Sequence, residues 1–263
     1  MNDVINLSWW QLLLFSCTLL IPYAINVQLK LNLGKDILVS VLRMSLQLIL
    51  VGIYLEYLFK INSLTINLVW LTAMLAIGAS SIVSKSNLPQ SKVFAPVLAG
   101  LSLGLLPILS LCVLIIRPNP IYSAQYIIPL AGMLLGNSLS GNIVALQNLF
   151  TALQERKSEY EGALSLGASP LYATLPFVRS ALQKSLAPIL ASMTTTGLVT
   201  LPGMMTGQIL GGANPLVAIK YQLLVMIAIF VTMSISTAVT LRLAIPYTIN
   251  KEGRVLVKLR SNH

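Results

Sequence analysis

The sequence predicts an all-α, polytopic membrane protein with about seven transmembrane helices, its N-terminus outside and its C-terminus cytoplasmic. Three observations carry that expectation. Of 263 residues, 56% are hydrophobic and 9% charged, whereas a soluble domain carries roughly 25% charged residues. The charges are clustered: no Lys, Arg, Asp or Glu occurs from Val4 to Leu29, a run longer than the ~20 residues a helix needs to cross the hydrocarbon core. Lys and Arg also concentrate in alternate connections, the pattern that orients membrane proteins.

Taken in order, the apolar runs fall at about 8–27, 37–59, 65–84, 93–116, 124–149, 187–210 and 216–246. The first reads as a retained helix, because Asp3 stands where a signal peptide would carry basic residues. Lys30 and Lys35 follow the first run and Lys85 and Lys92 the third. Arg156, Lys157, Arg179 and Lys184 follow the fifth, and Lys251, Arg254, Lys258 and Arg260 the seventh. The intervening connections carry only Lys60, Arg117 and, in 211–215, no Lys or Arg at all. The rich side is assigned to the cytoplasm. The whole chain, 1–263, reads as a single transmembrane domain with one long cytoplasmic loop at about 150–186, in a multi-pass protein of the cell membrane.

The net charge of +10 is accounted for by these connections. No basic stripe with interleaved aromatics is present, so nucleic acid is not an expected partner. Cys17 and Cys112 lie within apolar runs and read as small hydrophobes. Small residues recur four apart at Gly100 and Gly104, at Gly132 and Gly136, and at Gly203, Gly207 and Gly211. That spacing lets helix backbones approach closely in lipid, either within one chain or across a seam between subunits.

In the long loop, the run from Gln154 to Ala168 begins as a mixed-charge helix former and ends small and apolar before Pro170. It fits either a short amphipathic helix at the membrane surface or a solvated linker. Glu161-Gly162-Ala163 and Gly167 resemble the E-A-A-x-x-x-G loop of ABC importer permeases, with Gly in place of the first Ala. Leu175-Pro176 resembles that motif's Leu-Pro, nearer to the glycine than usual. The run Leu198-Val199-Thr200-Leu201-Pro202-Gly203-Met204-Met205-Thr206-Gly207-Gln208-Ile209-Leu210-Gly211-Gly212 looks like the signature of the FetB/YbbM family of iron-export ABC permeases, shared by plant aluminium-tolerance permeases. Ile128 through Ser138 and Pro215 through Gln222 match as well. The resemblance covers essentially the whole chain. It implies a membrane homodimer driven by a separate cytoplasmic ATP-binding subunit, which would dock on a coupling helix containing Glu161, Gly162, Ala163 and Gly167. The chain itself contains no G-x-x-x-x-G-K-[ST] run to cradle a nucleotide. It reads as a non-catalytic subunit without a cofactor.

Pro202-Gly203 is expected to break the sixth run, since proline removes a backbone hydrogen bond and glycine frees φ. Exposed carbonyls at membrane depth require burial in protein or a wet cavity. The break is therefore a packed kink or a pathway, and Pro202, Gly203, Met204, Met205 and Gln208, with Asn137 and Arg43, are the candidate path residues. Thioether sulfur suits Cu(I) and binds iron weakly, and paired methionines also serve as adaptable core filler. No metal ligand set is assigned; Met204, Met205 and Glu56 are the candidates. Arg43 can snorkel, and Glu56 pairs with Lys60 one turn on. Asn137, Asn142, Thr232, Ser236 and Thr240 read first as interhelical hydrogen-bonding groups. The expected function is the permease subunit of an ABC exporter for iron or a related metal. A gradient-driven carrier or channel is the alternative, though neither an inverted repeat nor more than one embedded carboxylate (Glu56) is visible. A membrane scaffold that transports nothing is a third reading.

Overall fold

The computed structural model describes residues 7–250 and 252–256; Asp3, Lys251, Lys258, Arg260 and His263 lie outside them. The elements are α1 (Trp9–Ser16), α2 (Leu20–Gln28), α3 (Gly34–Ile61), α4 (Leu64–Lys85), α5 (Gln90–Ile116), α6 (Ala124–Glu155), α7 (Lys157–Ser165), α8 (Pro170–Thr195), α9 (Gly203–Leu210) and α10 (Pro215–Thr248). The chain is a polytopic all-α membrane protein. Among the described residues, six helical stretches are long and apolar enough to cross a membrane: Trp9–Gln28, α3, α4, α5, α6 and α10.

Local chemistry explains the element ends. Ser8 opens α1 with a capping box, accepting from the Trp10 amide while Gln11 accepts from Ser8. A 3₁₀ turn at Cys17–Leu19 separates α1 from α2. Pro22 lies one turn on and cannot donate to the Thr18 carbonyl, which tightens the preceding turn. Ser169 and Asn214 cap α8 and α10 through their side chains, each followed by a proline at the first helical position.

The segment 150–186, expected to hold a short helix or a solvated linker, is largely helical: α6 runs on to Glu155, α7 occupies its middle and α8 begins at Pro170. One feature differs from the sequence expectation: the stretch 187–210 is not one helix. Its first part is the end of α8, the chain leaves helical geometry at Thr196, and α9 begins only at Gly203. Gly197 supplies the left-handed turn, φ +89°, that starts this excursion. Pro202, in extended geometry at φ −61° and ψ 144°, stands at the N-cap of α9. The Pro-Gly pair therefore starts a helix, and the break precedes it. Within the break, Gly197 N–H donates to the Thr200 carbonyl at 2.9 Å and Val199 N–H to the Thr195 carbonyl at 3.0 Å.

The core lies among α4, α5, α6, α8 and α10. Its tightest contact joins α5 and α10. A Cβ on Gly100 would lie 2.1 Å from Thr240 Oγ1 and 2.7 Å from the Ser236 carbonyl oxygen. One on Gly104 would lie 2.8 Å from the Ser236 Cβ and the Thr232 carbonyl oxygen. Rising numbers on α5 meet falling numbers on α10, so the two run antiparallel with backbones in contact. By contrast, α1 and α2 bury only Asn26, and α3 only Leu58, which packs with Ala124 and Ile128 of α6.

Gly100→Ala is therefore expected to overpack the α5–α10 contact and cost about 1–3 kcal/mol. That corresponds to a fall in Tm of about 2–4 °C per kcal/mol, measurable by thermal melting in detergent. Gly136→Ala, with no atom within 4 Å of the new methyl, serves as the matched control. It should leave Tm unchanged or slightly raised; equal losses at both positions would contradict the packing argument.

Candidate functional site

Two of the three ion pairs among the described residues lie at the end of the bundle that carries α7. α7 is stiffened by ion pairs from residues three and four apart. Arg156 Nε donates to Glu159 Oε1 at 2.8 Å, with a second bond from the same guanidinium, and Lys157 Nζ lies 3.2 Å from Glu161 Oε1. The Arg156 hydrogen bond holds the Glu159 carboxyl below its ordinary value, and Glu159 in turn holds the guanidinium above its own. Both groups are exposed, so the pair orders the helix entry more than it stabilises the fold.

Glu161 and Gly162 face outward, while Ala163 and Leu164 lean on the core. The helix ends in a Schellman motif: Gly167 sits at φ +89°, its N–H donates to the Leu164 carbonyl at 2.9 Å, and Ala168 N–H donates to the Ala163 carbonyl at 3.1 Å. Gly167 thus has a local conformational reason to be glycine. Gly162 has none, since a Cβ there would meet nothing within 4 Å, and alanine would fit at that position of the motif. Leu166, at the helix tip, is an apolar side chain left 90% exposed.

Sequence reasoning missed the residues that hold α7 in place. Tyr160 is 2% exposed, stands edge-on to Phe177 of α8 at 6.3 Å, and donates its phenol to the Gly253 carbonyl at 2.9 Å. Burial pushes the phenol's pKa up, so it stays a neutral donor. The Arg156 guanidinium lies over the other ring, 5.1 Å from the Phe177 centroid. An aromatic in the middle of a charged nine-residue helix was the available signal.

The candidate path residues fall in three places: Pro202, Gly203, Met204, Met205 and Gln208 at α9, Asn137 on α6 and Arg43 on α3. Arg43 is exposed on α3, about 22 Å along the helix from Leu58, where α3 meets the bundle. Glu56 pairs with Lys60 at 2.8 Å, both side chains 72% exposed, a surface pair of small energetic weight. Asn137 is exposed and donates back to the Met133 carbonyl of its own helix at 2.9 Å. Met204 and Met205 are half-buried, Met204 against the main core. Gln208 keeps a buried Oε1 without a hydrogen-bond partner, as does Gln222 on α10, against which α9 packs. Among the described residues, no group of three His, Cys, Asp or Glu side chains is placed to hold a metal ion.

The interior polar groups form a separate cluster. Asn142 Nδ2 donates to the Ser138 carbonyl at 2.8 Å and to Ser236 Oγ on α10 at 3.0 Å. The hydroxyls of Ser138, Thr232, Thr237 and Thr240 are buried there without partners. The structure assembles Asn142 and Ser236 into a bond between helices and does not bring Asn137 to it.

A protein-family description, the uncharacterised protein family UPF0014, matches residues 9–248. The UPF0014 membrane protein slr1647 of Synechocystis is 39% identical over 230 residues, covering 86% of this chain and 88% of that one. The probable iron export permease protein FetB of Escherichia coli is 32% identical over 228 residues, 87% of each. Protein ALUMINUM SENSITIVE 3 of Arabidopsis thaliana is 37% identical over 210 residues, 79% of this chain and 75% of that one. No solved structure matches.

A double-mutant cycle with Asn142→Ala and Ser236→Ala should give a coupling of about 0.6 kcal/mol, the average for hydrogen bonds between membrane helices. A coupling indistinguishable from zero, read by unfolding in detergent, would remove this bond from the account of the core.

Proposed function

The chain belongs to the UPF0014 family, and on that premise we propose that it is the membrane permease subunit of an ABC exporter, driven by a separate ATP-binding subunit. The observation that carries this reading is α7. It is a short, ion-paired helix at one end of the bundle, outside the long apolar spans, with Glu161, Gly162 and Leu166 turned outward. On this reading the α7 end is cytoplasmic, the ATP-binding subunit docks on that outward face, and two copies of the chain make the membrane unit. The name of the Escherichia coli relative, a probable iron export permease, supports iron or a related metal as cargo. The match spans most of both chains, which supports treating 1–263 as one permease domain.

The fold supplies a path for force. α8 begins beside α7, with Phe177 against Tyr160, and continues as one helix to Thr195 at the edge of the break. At 1.5 Å per residue it is about 39 Å long. Displacement of α7 would be carried along α8 to the 196–202 segment and α9, where Met204, Met205 and Gln208 would offer thioether sulfur and amide oxygen to a passing cation. Such ligands bind iron weakly, which suits a site that must release its cargo.

Charge reversal by Glu161→Lys breaks the pair with Lys157 and puts a cation on the docking face. Unfavourable charge placement at an interface costs several kcal/mol, so affinity for the ATP-binding subunit should fall at least about tenfold. The measurement is co-purification together with ATP-dependent Fe²⁺ flux in sealed vesicles, with other divalent metals compared. Flux that persists without any ATP-binding subunit would favour a gradient-driven carrier. An ATPase that still binds and stays coupled to the Lys variant would remove α7 from its proposed role.

A further inference from the structure

We infer that the turn after α10, formed by residues 249–250 and 252–256, is a brace for α7, and that Tyr160 is the positioning residue through which movement of α7 reaches α10. The inference deepens the docking role proposed for α7 and rests on that reading. α10 ends at Thr248, and the chain then reverses on itself. Ile249 and Val255 pair as an antiparallel bridge, Arg254 N–H donates to Asn250 Oδ1 at 2.6 Å, and Leu256 N–H donates to the Thr248 carbonyl at 2.7 Å. These bonds tie the turn to the end of α10, so it moves with that helix and does not trail as a loose tail.

The turn meets α7 at Gly253. The Tyr160 phenol donates to the Gly253 carbonyl, and the Gly253 Cα presses against Leu164, where a Cβ would come within 2.4 Å of Leu164 Cδ1. Gly253 also sits at φ +83°, a conformation that favours glycine. Tyr160 and Leu164 lie four apart on one face of α7. That face is closed against the turn and α8; the exposed Gly162 is on the opposite face, and Glu161, also exposed, is about a quarter-turn round from Tyr160 and Leu164. α7 is thereby clamped between two long helices, by Phe177 to α8 and by Gly253 to α10. α10 is in turn locked to α5 at Gly100 and Gly104. A push on α7 cannot swing α8 alone; it loads α10 as well.

The test uses the full chain reconstituted in lipid vesicles with its ATP-binding subunit. Cys17, which is exposed, is replaced by serine, and Tyr247→Cys places a thiol on the exposed side of α10 near the turn. Maleimide labelling of that thiol is compared with no nucleotide and after trapping with ATP and vanadate. In the otherwise unaltered chain, trapping should change the labelling rate several-fold. Tyr160→Phe keeps the ring against Phe177 and removes one hydroxyl; Gly253→Ala displaces the turn. Each should abolish most of the nucleotide-dependent change while the ATP-binding subunit stays bound with unaltered affinity. A full response in Tyr160→Phe overturns the brace, and so does loss of subunit binding in that variant, which would make Tyr160 a docking residue instead. Glu161→Lys separates the two ideas: subunit binding that survives it defeats the docking reading alone. A reference chain that shows no response to trapping defeats both.

Discussion

The close approach of α5 and α10 is the constraint from which the rest of the bundle is arranged. In lipid, helices gain little by hiding apolar surface from each other, so association depends on van der Waals contact and interhelical hydrogen bonds. Gly100 and Gly104 let the α10 backbone come to a distance that no side chain permits, with Thr240, Ser236 and Thr232 set into the gap. Their small side chains serve shape first: the Thr232 and Thr240 hydroxyls are buried and unpartnered, while Ser236 accepts from Asn142. α6 joins the pair through that bond and through Gly141, where a Cβ would lie 2.8 Å from Met233. α4 and α8 then pack on this three-helix centre.

The first three helices obey a different balance. α3 is apolar nearly all round and exposed nearly throughout, with Leu58 its one buried residue. In water such a helix would be untenable; in a bilayer its environment is as apolar as a core. Its charged residues stand where that environment ends. Glu56 and Lys60 pair at one end, and Arg43 lies about 14 Å from the other, within reach of the interface for a long side chain on a helix longer than the hydrocarbon core. Their placement follows from solvation and needs no role in transport.

Most of the spans were legible because length and apolarity act locally: a charge-free run can be counted without knowing its neighbours. The small-residue spacing at Gly100 and Gly104 was legible too, although only the structure says that α10 is the partner. Two things were hidden. The break at 196–202 lies in a continuous apolar run, and the eye goes to Pro202-Gly203, whereas the turn is made by Gly197. Tyr160, Phe177 and Gly253 were invisible as a set because they meet only through tertiary contact: 93 residues separate the tyrosine from the glycine whose carbonyl accepts its hydrogen bond. The family resemblance pointed to Glu161, Gly162, Ala163 and Gly167 and was silent about Tyr160, buried on the inward face.

The order of elements along α7, α8 and α9 has a consequence for any mechanism that acts through them. A short polar helix, a long unbroken one and a non-helical excursion follow in series, and the excursion is the soft member. α8 stays one helix although Pro176 and Pro188 each remove a backbone hydrogen bond, whereas at Gly197 the chain has already left helical geometry. Displacement applied at the α7 end is then felt where the backbone already departs from helical geometry, beside α9 with its unpartnered Gln208 oxygen. A buried acceptor without a donor costs about 1–3 kcal/mol, a penalty that any donor or cation reaching the Gln208 oxygen would relieve. The unpartnered Gln208 oxygen thus lies on the helix that follows the segment of least backbone regularity, while more of the unpartnered buried polar groups lie on α6 and α10.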